Sequence, residues 1–432
     1  MGKEEKWILK FVAVLVLIAV SSLSVPAVEA KEVTLRIFAR AYTWNQDAPW
    51  EVAKKELQRR HPDIKFTFIE EGFGWADLRS KFLTSAAGGN PPDVVQVDII
   101  WVGEYVEGGL LLDLTDKVQA WSEWPDVVDS FKKATYWKGR SYGTWLNTDV
   151  RVMAYNKKLF RAAGLDPNKP PTDWNELLDI SKKISKPPAY YGFGFPAMKV
   201  EATAMRFFAW LYSAGGQILT DDMKKAAFNS EAGVSALAML VRMVEEGATP
   251  KSIVSGNYSD IDSAVFQDKF AMAFMTKTLG LAKKNIKGIT PEQFQKDFGA
   301  APIPKAPGGK PSTMSGGYLL SVPKGAKHPD LAWELVSIAG GAESQFGYTT
   351  ARGYVPTFYS LMKKADKYSG IDPFFGVILS QLPYAHFRPG IPQYTEISAA
   401  VQDAIQAAVL GQMKPKAALD AAAEKVNQLL AQ

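Results

Sequence analysis

Strand-like and helix-like segments alternate from residue 33 onward, and this alternation constrains the fold more than any other feature of the sequence. Val33–Phe38 alternates apolar and polar residues as a half-buried strand does, and Asp47–Arg60 carries apolar residues at helical spacing. A second alternating segment, a second helical segment and a buried-strand run follow: Ile64–Ile69, Trp75–Ala86 and Val94–Ile99. This β-α-β-α-β order predicts a parallel sheet covered by helices.

Helical patterns continue to the end of the chain, without internal repeats or low-complexity linkers. Thr172 is the predicted N-cap of one of these helices, because it follows Pro170-Pro171. At 432 residues the chain is long enough for two or more lobes, which must then be built from non-contiguous segments. The predicted helices are Asn156–Asp166, Asp173–Ile184, Met205–Ala214, Ser230–Glu246, Pro329–Ala339, Thr395–Leu410 and Ala417–Ala431.

Residues 1–30 have the layout of a secretory signal peptide. Lysines at positions 3, 6 and 10 precede the apolar run Phe11–Val20, and Ser21–Ala30 is small and weakly polar. The apolar run of ten residues is short for a membrane-spanning helix, which needs about 20. We expect export, cleavage near Lys31 and a protein that is free in the periplasm or another extracytoplasmic space. No cysteine stands at the cleavage site, so no lipid anchor is expected.

The composition argues against several functional classes. The 50 basic and 45 acidic residues are interspersed, so no nucleic-acid-binding surface is expected. The chain has no cysteine, and its three histidines, His61, His328 and His386, lie far apart. Thiolate and multi-histidine metal sites are therefore excluded, and neither a metal nor a cofactor is expected.

One short motif resembles the nucleophile elbow of hydrolases. Gly139-Arg140-Ser141-Tyr142-Gly143 has the G-x-S-x-G spacing, but the elbow requires a strand before the serine and a helix after it. Here the flanking residues predict a turn that leads into a strand, so no catalytic serine is expected. The carboxylates are too numerous for counting to exclude an acid/base pair for glycoside cleavage.

Aromatic residues cluster at strand ends and in Gly/Pro-rich loops. For each one, core packing is the alternative to ligand stacking. Polar groups that suit sugar hydroxyls lie beside several of them, as Asp98 does near Trp101 and Arg388 after Phe387. Ligands of open α/β sheets bind at the carboxyl ends of strands, so the pattern indicates a sugar site there. The aromatic residues are Tyr42, Trp44, Trp75, Trp101, Trp145, Tyr318, Tyr354 and Phe387.

Several segments resemble, in order, a known family. Tyr155–Phe160, Ala163–Asp166 and Pro171–Leu178 look like the signature of extracellular solute-binding proteins of ABC transporters, in the carbohydrate-binding branch that includes maltose-binding protein. The likeness continues over about 400 residues through Asn90–Val95, Gly109–Leu114, Phe228–Gly233, Phe266–Met275, Gly316–Leu319, Lys324–Pro329, Arg388-Pro389, Pro392–Tyr394 and Ala418–Leu429.

The resemblance implies an α/β fold of the two-lobe periplasmic-binding-protein (Venus-flytrap) type, each lobe a mainly parallel sheet flanked by helices. After the signal peptide 1–30, lobe 1 would comprise 31–146 and 319–365, and lobe 2 148–318 and 367–432. The chain would cross between lobes near Asn147, Gly317 and Asp366. Gly316-Gly317 and Ser369-Gly370 could serve as hinges or as plain turns.

The resemblance also implies a set of ligand contacts. The chain departs from the maltose-binding pattern in two places: no tryptophan follows Met275, and Ser398 stands where an aromatic residue is expected. Trp75 joins this set because of the aromatic pattern described above. The candidate ligand-binding residues are Tyr42, Trp44, Asn45, Trp75, Asp98, Trp101, Asn147, Asp149, Phe208, Thr276, Lys277, Gly317, Tyr318 and Arg388.

The expected function is capture of a sugar, a di- or oligosaccharide, between the lobes and its delivery to the membrane permease of an ABC importer. We expect a monomer without catalytic residues. Two alternatives stay open at this stage. One is a binding protein for another solute, such as a polyamine; the other is a secreted carbohydrate-active enzyme.

Overall fold

The computed structural model describes residues 31–41, 49–276, 282, 285–364, 367–368 and 372–432, with Pro49 and Arg352 described by their backbone alone. Several predictions lie outside these residues: the signal peptide, the crossing at Asp366, and the hinge Ser369-Gly370. The candidate ligand contacts outside them are Tyr42, Trp44, Asn45 and Lys277.

The strands of the described chain include the three predicted for residues 33–38, 64–69 and 94–99, the second of which extends four residues beyond its predicted end. They are β1 Lys31–Arg40, β2 Ile64–Phe73, β3 Val94–Asp98, β4 Tyr136–Trp137, β5 Arg140–Ser141, β6 Thr144–Val150, β7 Val152–Asn156, β8 Tyr191–Gly194, β9 Phe270–Met275, β10 Phe298–Ala301, β11 Thr313–Ser321 and β12 Ala385–His386.

The helices of the described chain include the nine predicted from the sequence, in the predicted order. They are α1 Pro49–Arg60, α2 Trp75–Ala87, α3 Val102–Glu107, α4 Thr115–Ala120, α5 Asp129–Ala134, α6 Lys157–Ala162, α7 Trp174–Ile184, α8 Glu201–Ser213, α9 Glu231–Glu245, α10 Tyr258–Phe266, α11 Pro291–Asp297, α12 Pro329–Ala339, α13 Ala342–Arg352, α14 Tyr359–Met362, α15 Phe375–Ser380, α16 Tyr394–Val409 and α17 Pro415–Leu430.

The first sheet has the strand order β12-β11-β3-β1-β2, and β6 pairs with β11. Its amino-terminal part is parallel as predicted, because β1 pairs in parallel with both β2 and β3. Strand β11 comes from much later in the chain and runs antiparallel to β3 and to β6. Two layers of helices cover the sheet: Leu35 and Ile37 pack on one face with α1 and α12, and Val95 and Val97 face α2 and α3.

The second sheet has the order β10-β7-β9-β8. Strands β8 and β9 pair in parallel, whereas β7 runs antiparallel to both β9 and β10. Both sheets are therefore mixed, and the second is less parallel than we expected. The α/β class with helices flanking two sheets is confirmed.

One residue, Arg151, separates β6 of the first sheet from β7, the first strand of the second sheet along the chain. Strand β6 ends at Val150 and β7 begins at Val152. The chain returns to the first sheet between Ala301, the end of β10, and Thr313, the start of β11. The lobe boundaries themselves stay a prediction.

Gly317 lies within β11, where the structure needs a glycine. Its φ is 138°, and a Cβ atom there would come within 2.3 Å of the carbonyl oxygen of Asn147. Residues that carry a Cβ atom rarely adopt such a backbone conformation, so the close approach of β11 to β6 depends on this glycine.

Two local predictions can be compared directly with the structure. Asp173, not Thr172, caps α7: its Oδ1 accepts hydrogen bonds from the backbone N–H groups of Asn175 and Glu176. Thr172 instead donates from its backbone and hydroxyl groups to Glu176 Oε2, one residue too early to cap the helix. The turn predicted at Gly139 is present, since β4 and β5 form a hairpin and Gly139 has a φ of 79°.

Candidate ligand-binding site

The carboxyl ends of β2 and β3 bring two tryptophans together. Trp75 follows β2 at the start of α2, and Trp101 ends a short 3-10 turn after β3. Their ring centroids are 5.0 Å apart with the planes inclined by 41°. Trp101 is fully buried, whereas Trp75 keeps part of its surface exposed. Trp75 is thus a partly open aromatic surface that rests on a buried one.

Asp98, the last residue of β3, holds this pair in place. Its Oδ2 accepts a hydrogen bond from Trp75 Nε1 at 2.9 Å. Its Oδ1 accepts one from the backbone N–H of Ile100 at 3.3 Å, which starts the turn that carries Trp101. A short polar residue at the end of a strand therefore fixes both aromatic rings.

Asp98, Tyr318 and Asn147 form a row across three neighbouring strands. Tyr318 of β11 lies directly opposite Asp98 on one side and Asn147 of β6 on the other. Residues directly opposite one another in antiparallel strands project to the same face. Three residues that are far apart in the sequence thus share one surface.

The Asn147 side chain is buried and has no hydrogen-bond partner within the described part of the chain. The residue is 2 % exposed, and neither Nδ2 nor Oδ1 has a partner among the described residues. A buried polar group without a partner costs about 1–3 kcal/mol. Such a group in a row of candidate site residues is suited to a ligand hydroxyl, which can both donate and accept.

Arg388 bridges elements of the two sheets. Its Nη2 donates to Asp98 Oδ1 at 3.1 Å, and its Nη1 donates to Glu201 Oε1 at 2.9 Å. The side chain is 3 % exposed, against 6 % for Asp98 and 13 % for Glu201. Burial alone lowers the pKa of the Arg388 guanidinium, but the charges of Asp98 and Glu201 outweigh it and raise that pKa above its ordinary value.

The loop that carries Arg388 is anchored at both ends. Before it, β12 pairs with the start of β11, at Thr313 and Met314. After it, the carbonyl of Gly390 accepts a hydrogen bond from the backbone N–H of Gly103 in α3 at 2.9 Å. The guanidinium is therefore positioned by the backbone of the first sheet and its helices.

Glu201, the other partner of Arg388, is not among the residues predicted from the sequence. Glu201 begins α8, and its carboxylate also accepts hydrogen bonds from Tyr394 Oη at 2.8 Å and from Ser398 Oγ, both in α16. Burial, and then the charge of Glu201, raises the pKa of Tyr394 well above its ordinary value, so this hydroxyl remains a donor. A single acid at the start of an apolar helix indicates only a favourable helix end. Nothing in the sequence pairs it with residues nearly 200 positions later.

A second ion pair lies beside the bridge. Asp149 Oδ1 accepts hydrogen bonds from Arg151 Nη1 at 2.6 Å and from the backbone N–H of Gly316 at 3.0 Å. A Cβ atom on Gly316 would lie 3.3 Å from Asp149 Oδ1 and 3.2 Å from Arg388 Nη2, so the two pairs are close neighbours. Burial lowers the pKa of Arg151.

Two other candidate residues lie apart from these contacts. Phe208 of α8 is fully buried in the hydrophobic core, where its ring lies 6.0 Å from that of Phe207. Thr276 follows β9 and is half-buried. Because Met275 pairs with Val152, Thr276 lies at the edge of the second sheet where Arg151 leads into β7. The candidates that the structure brings together are Trp75, Asp98, Trp101, Asn147, Asp149, Gly317, Tyr318 and Arg388.

The chemistry of this surface follows from the ion pairs between its carboxylates and its guanidinium groups. Three carboxylates, Asp98, Asp149 and Glu201, share two guanidinium groups, and Trp75, which donates to Asp98, keeps part of its surface exposed. In the described part of the chain, no three His, Cys, Asp or Glu side chains are arranged to hold a metal ion. An apolar ring face beside paired planar polar groups can bind a compound that has both C–H faces and hydroxyls.

Comparisons with known proteins point to one family. Residues 42–346 match the family described as bacterial extracellular solute-binding protein. A diacetylchitobiose-binding protein of Streptomyces coelicolor is 26% identical over 332 residues, which cover 75% of this chain and 73% of that one. An uncharacterized lipoprotein of Streptomyces antibioticus is 27% identical over 301 residues, covering 66% of this chain and 62% of that protein.

A solved structure extends the likeness to nearly the whole fold. The solute-binding protein of an ABC transporter from Thermotoga lettingae, bound to α-D-tagatose, superposes with a TM-score of 0.78 at 27% identity. The match covers 93% of this chain and 100% of the other. Among the described residues, no helix has the length and apolar character needed to cross a membrane.

Proposed function

This chain belongs to the bacterial extracellular solute-binding proteins, and from that premise we propose that it captures a neutral sugar at the surface formed by Trp75, Asp98, Asn147, Tyr318 and Arg388. The family predicted from the sequence is confirmed. The sugar would then be delivered to the membrane permease of an ABC importer. A relative named for diacetylchitobiose and a solved structure with bound α-D-tagatose support a sugar as the ligand.

The observation that carries this proposal is the position of Trp75. Its ring is partly exposed, its Nε1 is fixed by Asp98, and its underside rests on Trp101. A ring held in this way can stack on the C–H face of a sugar without losing much side-chain freedom. Asn147 and Tyr318, on the same side of the sheet as Asp98, supply polar groups for the hydroxyls.

The charges favour a neutral ligand over a polyamine. A polyamine needs carboxylates that are free to pair with its ammonium groups. Here Asp98 and Glu201 accept hydrogen bonds from Arg388, and Asp149 accepts them from Arg151. A cation would have to displace a buried guanidinium from at least one of them, which leaves a charge without its partner.

The same contacts argue against an enzyme that cleaves glycosides. A glycosidase needs one carboxyl that can donate a proton and a second that can act as base or nucleophile. All four carboxylate oxygens of Asp98 and Glu201 accept hydrogen bonds from protein groups. The relatives cited above for their ligands are binding proteins, and we propose that this chain binds its sugar without changing it.

Binding would proceed by closure of two lobes, with the boundaries 31–146 plus 319–365 and 148–318 plus 367–432. A sugar that contacts both lobes binds the closed arrangement more tightly than the open one, and this difference in affinity stabilises the closed arrangement. We propose export by the leader 1–30 and action outside the cytoplasm as a monomer. We expected no lipid anchor; one relative is named a lipoprotein, so the anchor is a separate point to test.

Tryptophan fluorescence of residues 31–432 tests the proposal. The protein is titrated with mono-, di- and oligosaccharides, with polyols, and with spermidine as the cationic comparison. A saturable change with one sugar class, and recovery of that sugar unchanged after days, is expected. A response to spermidine alone would overturn the ligand class. Mass spectrometry of the denatured protein checks for a co-purified ligand, and mass spectrometry of the exported protein identifies its N-terminus and any lipid.

A further inference from the structure

We infer that Glu201 is a positioning residue of the binding site: it fixes Arg388, and through Arg388 it joins the two lobes in the closed arrangement without the help of a ligand. The inference rests on the proposed function for the identity of the ligand, whereas the contacts that link Glu201, Arg388 and Asp98 are made by protein groups only. Glu201 was not among the candidate residues, because no local sequence pattern marks it.

The contacts of Arg388 belong to different parts of the fold. Asp98 ends β3 in the middle of the first sheet. Glu201 begins α8, and that helix packs on the second sheet, as the 5.3 Å distance between the rings of Trp210 and Phe274 of β9 shows. The guanidinium donates to both carboxylates, at 3.1 Å and 2.9 Å. One side chain thus connects the carboxyl edge of the first sheet to a helix of the second.

Glu201 is held more firmly than a surface acid would be. Tyr394 and Ser398 of α16 donate to its two oxygens, and Gln402 Nε2 donates to Ser398 Oγ at 2.9 Å. Two helices therefore fix the carboxylate before it meets Arg388. Each polar contact of this network is made by the protein, so its formation requires no ligand atom.

The bridge continues into the stacking surface. Glu201 binds Arg388, Arg388 binds Asp98, and Asp98 binds the indole of Trp75. Breaking the first link leaves a buried guanidinium with one carboxylate instead of two, and such a change strongly disfavours the closed arrangement. Loss of Glu201 should therefore open the lobes and weaken sugar binding, although Glu201 need not contact the sugar.

The test uses Glu201→Gln, which keeps the shape and the acceptor oxygen but removes the charge. The chain has no cysteine, so two introduced cysteines can be labelled uniquely. Lys81 lies in α2, which covers the first sheet, and Lys251 begins the short 3-10 helix Lys251–Ser255 that follows α9; both residues are exposed, and they fall in different predicted lobes. The distance between spin labels at these positions, measured by pulsed electron resonance without ligand, is expected to show a closed population beside an open one in the parent protein. The closed population is expected to shrink in Glu201→Gln, and sugar is expected to enlarge it in the parent.

The matched control is Asp262→Asn. Arg206 and Asp262 form an ion pair that is as buried as the bridge, with Arg206 Nη2 2.8 Å from Asp262 Oδ1, but both residues lie on helices of the second sheet, α8 and α10. Its loss should lower the melting temperature while the label distance stays as in the parent. If Asp262→Asn opens the lobes equally, the effect is general destabilisation and the inference is wrong.

Sugar binding supplies a second readout. Opening reduces the fraction of binding-competent protein, so Glu201→Gln should bind about tenfold more weakly, whereas Glu201→Asp, which keeps the charge, should recover part of the loss. If Glu201→Gln does not fold, Glu201→Asp takes its place, because its shorter side chain draws the carboxylate back from Arg388. A folded variant of either kind that keeps the parent's label distances and affinity would overturn the inference. If the parent protein binds no sugar, the proposed function fails, while the label distances still decide the role of Glu201.

Discussion

The rings of Tyr212 and His386 stack face to face, with their centroids 3.9 Å apart and their planes inclined by only 3°. Tyr212 lies in α8, as Glu201 does, and His386 lies in β12, two residues before Arg388, so this stack and the ion pair of Glu201 and Arg388 share the helix α8. Burial lowers the pKa of His386 below its ordinary value of 6.5. The neutral ring is therefore the form that the folded protein favours.

This stack predicts a pH dependence of stability. The pKa of His386 is lower in the folded protein than its ordinary value of 6.5. Its contribution to the free energy of unfolding is therefore complete above pH 6.5. That contribution is lost as the pH falls from 6.5 toward the folded-state pKa, because in this range the unfolded chain binds a proton that the folded protein does not yet bind. Urea unfolding at a series of pH values between 8 and 5 measures this decline. His386→Phe, which keeps an aromatic ring on Tyr212, should make the decline shallower; an unchanged slope would contradict the assignment.

Replacing Trp75 with alanine should weaken sugar binding by about 2 kcal/mol, roughly thirtyfold, because a central aromatic contact is removed. Isothermal titration calorimetry with the sugar found in the fluorescence screen measures the loss. Trp121→Ala is the control, since this half-buried tryptophan packs on Phe358, with ring centroids 6.1 Å apart. Equal losses of affinity in both variants would argue against stacking on Trp75.

Replacing Asn147 with leucine should separate stability from binding. Removing a buried amide that has no partner among the described residues should leave the free energy of unfolding unchanged or raise it by about 1 kcal/mol, while sugar affinity falls at least tenfold. The control is Asn229→Leu, where the amide donates to Asp420 Oδ1 at 2.9 Å and its loss should destabilise. A stabilised Asn147 variant with full affinity would remove Asn147 from the site.

Replacing Gly317 with alanine should destabilise the protein by about 2–4 kcal/mol, because the added Cβ meets the backbone at 2.3 Å and the φ of 138° is strained. Gly347→Ala in α13 is the matched control. A Cβ there meets no atom within 4 Å, and alanine favours a helix by up to about 1 kcal/mol. Urea unfolding of both variants measures the difference, and a Gly317 variant as stable as the control would show that β11 can move away from β6.

Local patterns predicted the framework of this fold well. Apolar alternation located β1 and β2, and the stop at Gly88–Pro92 separated α2 from β3. These elements depend on short-range periodicity, which the sequence carries directly. The capping residue of α7 was misassigned by one position, because Thr172 and Asp173 both suit an N-cap and only the backbone geometry distinguishes them.

The site was predictable only in part. Trp75, Asp98 and Trp101 could be found because they follow strands whose ends are visible in the sequence. Glu201 could not, because its partners Arg388 and Ser398 lie 187 and 197 positions away. Phe208 shows the opposite difficulty: an aromatic residue in an apolar helix has the same pattern whether it contacts a ligand or fills the core, and the structure places it in the core.

The single residue between β6 and β7 restricts how relatives of this chain can differ in length. Successive side chains of a strand point to opposite faces, so inserting or deleting one residue beside Arg151 would turn every side chain of β7 to the other face of its sheet. Buried Met153 and Tyr155 would exchange places with Val152 and Ala154. Length changes should therefore accumulate in the loops after the strands, where specificity can diversify, while this junction keeps a constant length.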